Sequence, residues 1–212
     1  MGRTNGFVPP PTTATCYPSE LACEVETADG ETAQMRPIRP YDGRRLSEFH
    51  ERLSPQSVYR RFFFMHPKLS SAEIDRFTHV DYVNRLALVV VDGDRLVAVG
   101  RYDRISGTSE AEVAFVVADQ FQHRGIGTLL LEHLADAAVE NGITTFVAQT
   151  LTENHDMLDV FMRSGFHVIS SSEYDTVAVR FSIEPDESYR LACATRHGHS
   201  AAQLRHRVDD RP

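Results

Sequence analysis

The sequence predicts an α/β (α+β) chain in which strands and amphipathic helices alternate within one domain. Three observations carry that expectation. Apolar runs rich in β-branched residues recur between turn signals, at Leu86 to Val91, Leu96 to Tyr102 and Glu110 to Val117. Elsewhere the apolar residues fall at helical spacing, as do Leu46, Phe49 and Leu53. The third observation is a junction of the two patterns. Ala111-Glu112-Val113-Ala114-Phe115-Val116-Val117 reads as a buried strand, and Gln122-His123-Arg124-Gly125-Ile126-Gly127 as a glycine turn. Thr128 to Asn141 then reads as a helix, with Leu131, Leu134, Ala135, Ala138 and Val139 on its apolar face and Asn141-Gly142 as its stop.

In chain order, residues 1–18 are rich in Pro, Thr and Gly and predict a flexible segment. Residues 19–183 form the expected domain. Leu21 to Glu26 and Ala33 to Ile38 flank Asp29-Gly30, a hairpin signal. Pro40-Tyr41-Asp42 opens a helix with Asp42 as its candidate cap. Ser54-Pro55 breaks that helix, and Ser57 to Phe64 continues as a second. Ser70-Ser71-Ala72-Glu73 is a capping box for a third, through Phe77. The three strands come next, turning at Asp92-Gly93-Asp94 and Ser106-Gly107-Thr108, and the glycine turn and main helix follow them. Thr144 to Gln149 is a further strand, and Asn154 caps a helix that Gly165 ends. Phe166 to Ile169 and Val177 to Ile183 close the domain as a strand pair. Residues 184–212 are polar, with His197, His199 and His206 among arginines, and read as a disordered tail.

Composition excludes several classes. The 212 residues are 42% hydrophobic and 25% charged, as in an ordinary globular protein, and carry a formal net charge of −8. That balance argues against nucleic acid as the partner, because neutralising phosphates needs a basic face. No run is long enough to span a membrane. Pro9-Pro10-Pro11 stands where an export signal would need an apolar stretch. Cys16, Cys23 and Cys193 lie far apart without a C-x-x-C pair and read as free thiols of a cytoplasmic protein.

The junction carries the chemistry. Unpaired amides at the first turn of a helix, aided by the helix dipole, form an anion site. Gly125 and Gly127 let a phosphate approach the backbone. The spacing is neither G-x-G-x-x-G nor a Walker loop, since no lysine follows Gly127. A glycine turn that merely opens a core helix is the alternative.

The Q-x-x-G-x-G phrase after a strand resembles the acyl-CoA pyrophosphate loop of the GNAT (Gcn5-related) N-acetyltransferase superfamily. The element order resembles it too, as does Asn154 followed by Met157 through Phe166. The resemblance covers about Leu21 to Ile183. It implies a mixed central sheet with helices on both faces. Within the superfamily, Arg36-Pro37-Ile38-Arg39-Pro40, Arg52 to Tyr59, Val80-Asp81-Tyr82 and Ala111 to Phe115 resemble bacterial protein lysine acetyltransferases that modify acetyl-CoA synthetase and related acyl-CoA ligases.

The resemblance implies acetyl-CoA as co-substrate, no metal, and a protein partner bearing a reactive lysine. It implies that Phe115, Val116 and Val117 run along the pantetheine arm, with an oxyanion-binding amide near Val117. Gln122, His123, Arg124, Gly125, Ile126, Gly127, Thr128 and Asn154 would border the cofactor. Glu112, with partial burial, is the expected general base; Glu110 two residues away and the absence of any dedicated carboxylate base are the alternatives. Phe161 stands where many members have a tyrosine acid, so packing is its expected role. Arg52, Tyr59 and Arg60 fall on helices expected to line the acceptor groove. Two other functions stay open: acetylation of a small amine, and non-catalytic binding of acyl-CoA as a sensor.

Overall fold

The β-branched runs form strands and the 3.6-residue stripes form helices, in the expected order. The computed structural model describes residues 16–184 together with 186, 187 and 189. Strands β1 (Cys23–Glu26) and β2 (Thr32–Pro37) form the first hairpin, whose turn places Gly30 at φ +80°. Helices α1 (Gly43–Glu51), α2 (Pro55–Phe62) and α3 (Ser71–Thr78) follow. Strands β3 (Arg85–Asp92), β4 (Arg95–Arg104) and β5 (Glu110–Val117) lead to the long helix α4 (Ile126–Glu140). Strand β6 (Thr145–Leu151), helix α5 (His155–Met162), and strands β7 (Val168–Glu173) and β8 (Thr176–Ser182) complete the chain of elements.

One eight-stranded sheet runs in the order β1-β2-β3-β4-β5-β6-β8-β7. Every neighbouring pair is antiparallel except β5 and β6, which the α4 crossover makes parallel. The sheet is therefore mixed. Alternate residues of each strand serve two separate cores. Leu86, Leu88, Tyr102, Val113 and Phe115 pack with Leu130, Leu131 and Leu134 of α4 and Phe161 of α5. Ala87, Val89, Val99 and Val116 face the opposite side, with Leu46, Phe49 and Leu53 of the α1 region and Val58 of α2. Helices thus cover both faces, as the resemblance implies. Gly100 allows the close approach of α4, because a Cβ there would lie 2.9 Å from Phe115 Cδ1 and 3.1 Å from Leu134 Cδ1.

Three expectations are corrected. The main helix starts at Ile126, two residues before Thr128, because Gly125 in the left-handed region (φ +76°) turns the chain directly into it. Asp42 makes no side-chain cap on α1. Its buried carboxylate instead accepts from Arg36 at 2.7 and 2.8 Å and from the Arg39 amide at 2.8 Å. Burial alone would raise the Asp42 pKa, but these bonds outweigh it and hold the acid below its ordinary range. The third correction is β7, which runs from Val168 to Glu173 rather than from Phe166 to Ile169. Ser170-Ser171-Ser172 concealed it, since an exposed edge strand needs no apolar alternation.

Tyr189 is buried and stacks on Phe166 with ring centroids 4.3 Å apart. The expected flexible residues 1–15 and His197, His199 and His206 lie outside the described residues. Among the described residues, no helix is long and apolar enough to cross a membrane.

Candidate active site

The site begins as a fault in the sheet. β5 pairs with β6 only at Glu110–Thr145, Ala111–Phe146 and Glu112–Val147, after which the strands diverge. The remainder of β5 stays bonded to β4, through Ala98–Val117 at its far end. An antiparallel ladder bonds alternate residues. The Ala118 amide donates to the Val97 carbonyl at 2.8 Å, which sets the phase. Val116 and Ala114 therefore bond to β4, while the amides of Phe115 and Val117 point into the gap. These amides are fixed donors at the edge of an apolar cleft of about 220 Å³.

The glycine turn lies at the end of that gap. Gly125 is the N-cap of α4 and has no capping side chain. Leu129 is the first amide to find a partner, the Gly125 carbonyl at 3.1 Å. The amides of Ile126, Gly127 and Thr128 are left as donors at the positive end of a 15-residue helix. At Gly127 an added Cβ would lie 3.1 Å from Val160 Cγ2, so even alanine would need Val160 to give by a few tenths of an ångström.

Side chains distant in sequence hold this geometry. Gln122 Nε2 donates to the Val117 carbonyl at 3.1 Å and to Ser57 Oγ at 3.2 Å. Asp119 accepts from the Ser54 amide at 2.9 Å, Ser54 Oγ at 2.6 Å and Ser57 Oγ at 2.9 Å. Helix α2 is thereby tied to the strand end. Burial would raise the Asp119 pKa, and the serine donors more than reverse that. Arg124 pairs with Asp29 at 3.1 Å and lies 5.0 Å above the Phe121 ring, and its carbonyl accepts from the Ala28 amide at 2.8 Å. Its side chain secures the first hairpin to the turn rather than lining the cleft.

The other expected residues divide clearly. Phe115, Val116, Val117, Gln122, His123, Gly125, Ile126, Gly127, Thr128 and Asn154 all line the cleft. His123 is mostly exposed, at φ +60° and 3.7 Å from Asp156. Asn154 is buried and caps α5 by accepting from the Met157 amide. Arg60 lines the cleft and pairs with Asp156 at 3.2 Å. Arg52 is directed elsewhere, to the Leu96 carbonyl at 3.1 Å. Phe161 is 1% exposed between Phe115 and Phe181 and offers no proton.

Glu112 also lines the cleft, at the point where β5 and β6 part. Its side chain is exposed, not half-buried as expected, because the divergence removes the neighbour that would cover it. Glu110 is engaged by Arg180 at 2.6 Å, and that bond lowers its pKa. Directly opposite Glu112 on β4 is Asp103, which Arg85 holds at 2.7 Å. Sequence reasoning missed Asp103, and also Thr150, whose buried hydroxyl lines the cleft with no partner among the described residues. Cross-strand register sets Asp103 beside Glu112, although Asp103 does not itself line the cleft. Among the described residues no three His, Cys, Asp or Glu side chains gather as a metal site.

A sheet opened beside a helix N-terminus, with a carboxylate at the fork, is a cleft that could hold an acyl thioester between an anion site and a base. A family model described as the acetyltransferase (GNAT) family matches residues 51–166, and the chain belongs to that family. It is an N-acetyltransferase. An acetyltransferase of Pseudomonas aeruginosa is 32% identical over 142 residues, covering 65% of this chain and 76% of that protein. Acetyltransferase Pat of Mycolicibacterium smegmatis is 33% identical over 144 residues, covering 66% of this chain but 43% of its own length. The crystal structure of the GNAT domain of S. lividans PAT superposes with a TM-score of 0.74 at 41% identity, covering 78% of this chain and 99% of that one.

Proposed function

We propose that this chain transfers acetyl from acetyl-CoA to the ε-amino group of a protein lysine, on an acyl-CoA ligase such as acetyl-CoA synthetase. The observation that carries the reading is the open edge of β5, which runs from Glu112 to the amides at the start of α4. The residues fit acetyl-CoA: the Ile126, Gly127 and Thr128 amides would hold the diphosphate, and the Phe115 and Val117 edge would pair with the pantetheine amides. The thioester supplies the activated acetyl group.

The chain's residues then supply three effects. Glu112 accepts the proton of the incoming amine, which at pH 7 is neutral in only about one molecule in two to three thousand when free. An amide near Val117 donates to the carbonyl oxygen as it gains charge, an effect of about 3 kcal/mol in comparable sites. Divergence of the strands holds amine and thioester in one gap, so the C–N bond forms as the C–S bond breaks. As the C–S bond breaks, the second amine proton passes to water, and coenzyme A leaves as thiolate and takes a proton back from that water.

A protein acceptor is favoured by the acceptor side of the cleft, where Glu112 and Phe63 are both exposed. We place the reaction in the cytoplasm, consistent with the free thiols of Cys16 and Cys23.

The test is mass spectrometry of acyl-CoA ligases incubated with the protein and acetyl-CoA. Acetylation of the ligase's catalytic lysine, absent from its Lys→Arg variant, is expected. Unmodified ligases beside rapid turnover of polyamines or amino acids would replace this reading with the small-amine one. For the cofactor, Gly127→Leu is expected to raise the acetyl-CoA Kd about tenfold or more by calorimetry, by pressing on Val160 and filling the turn. A folded variant with unchanged affinity would remove the turn from the binding site.

A further inference from the structure

Two arginines beside the acceptor end of the cleft, Arg101 buried and Arg61 half-buried, have no carboxylate partner among the described residues. Arg101 on β4 is 7% exposed. Of its five N–H groups, one donates to the Phe77 carbonyl at 3.3 Å, and the guanidinium lies 4.2 Å above the Phe77 ring. Arg61 on α2 lies 5.1 Å from the Phe62 ring, and no described acceptor receives a hydrogen bond from it. No carboxylate among the described residues is within ion-pair distance of either guanidinium. Other arginines near this face are matched: Arg36 with Asp42, Arg85 with Asp103, and Arg60 with Asp156.

The two charges also oppose each other. Burial first, and the Arg61 charge second, draw the Arg101 pKa down to about 9. Arg61 is likewise lowered by burial, against the favourable fields of Glu112 and Asp103. Attachment of α3 to the sheet accounts for one Arg101 donor. It does not account for a second arginine set against the first, an arrangement that costs stability.

A second cavity of about 30 Å³ lies against both arginines and is otherwise mostly apolar, with Phe49, Phe77 and Val99 in its wall. It has room for about two waters, and hence for a carboxylate head group. Arg61, Ala114 and Val116 line both this cavity and the main cleft. Arg101 is the register partner of Ala114, two residues along β5 from Glu112, a separation of about 7 Å.

We infer that Arg61 and Arg101 form a carboxylate receptor beside Glu112 that selects acceptor amines carrying a carboxylate within about 7 Å. An acidic side chain next to the target lysine would supply it, as would the carboxylate of a free amino acid. Identification of the amine as the partner rests on the acyl-transfer reading. The receptor itself rests on the two guanidiniums and their cavity.

The experiment has two arms. In the first, the full chain with acetyl-CoA is offered paired acceptors: lysine peptides with Asp or Asn beside the lysine, and free lysine against lysinamide. A kcat/KM preference of about ten- to a hundredfold for the acid member is expected, carried mainly by KM. The ratio should fall toward one in Arg61→Met and in Arg101→Met, and recover in part in Arg101→Lys. A preference in the peptide pair identifies an acidic neighbour, and one confined to free lysine identifies an amino acid. Equal use within both pairs overturns the receptor.

The second arm needs no turnover, so it decides the matter even if the protein acceptor is wrongly assigned. Acetate at constant ionic strength should raise the Tm more than acetamide does. Arg101→Met should abolish that difference while melting no lower than the wild type, because it removes an unpaired buried charge. In the absence of turnover, equal responses to acetate and acetamide overturn the proposal. So does an Arg101→Met variant that loses Tm but keeps the acetate response.

Discussion

Glu112→Gln is expected to reduce turnover about a hundredfold or more, the usual scale for loss of a general base, with little change in acetyl-CoA affinity. The geometry separates the two effects. Glu112 sits where β5 leaves β6, whereas the amides proposed to hold the diphosphate lie beyond the far end of the strand, from Ile126. Steady-state kinetics alongside calorimetry measures both. Near-full turnover in the variant would transfer the role to Glu110 or to solvent; Asp103, directly opposite Glu112, is held by Arg85 as Glu110 is held by Arg180.

Asp42→Asn is expected to cost about 3–5 kcal/mol of stability, as when one partner of a buried ion pair is removed. The Asp42 side chain is fully buried against Arg36, and the substitution leaves that guanidinium without its charge partner. The folded-state pKa of Asp42 is depressed, so its contribution is present above the unfolded value near ~3.9 and is lost as pH falls through the folded value. The gap between wild type and variant should accordingly be full at pH 7 and narrow below about pH 4. Denaturant unfolding at pH 7 and pH 3 measures it. A constant gap would mean that charge pairing is not what Asp42 contributes.

Much of this was legible before any coordinates, for a local reason. Strand and helix periods, the Ser70 cap and the Gly125 turn depend on residues within a few positions of each other and stand where expected, whereas α2 starts at Pro55 with Ser54 as its cap rather than at Ser57. The residues around the glycine turn were legible from the resemblance that their phrase carries, and all but Arg124 line the cleft. Asp42 was misread because a residue of capping type before a helix has the same local signature whether it caps or pairs with a distant arginine. The edge strand β7 was misjudged because exposure removes the alternation that marks a strand.

The sequence alone determined the order and period of the elements and the glycine turn before α4, because short-range sterics and hydrophobic spacing decide these residue by residue. Tertiary structure alone decided where β5 and β6 part, that Glu112 is exposed at the fork, and that Asp119 holds α2 across 65 positions of chain through Ser54. It also decided that Arg61 and Arg101 face one cavity. These features come from register and packing between elements far apart in the chain, and no local pattern records which distant side chains the closed sheet brings together.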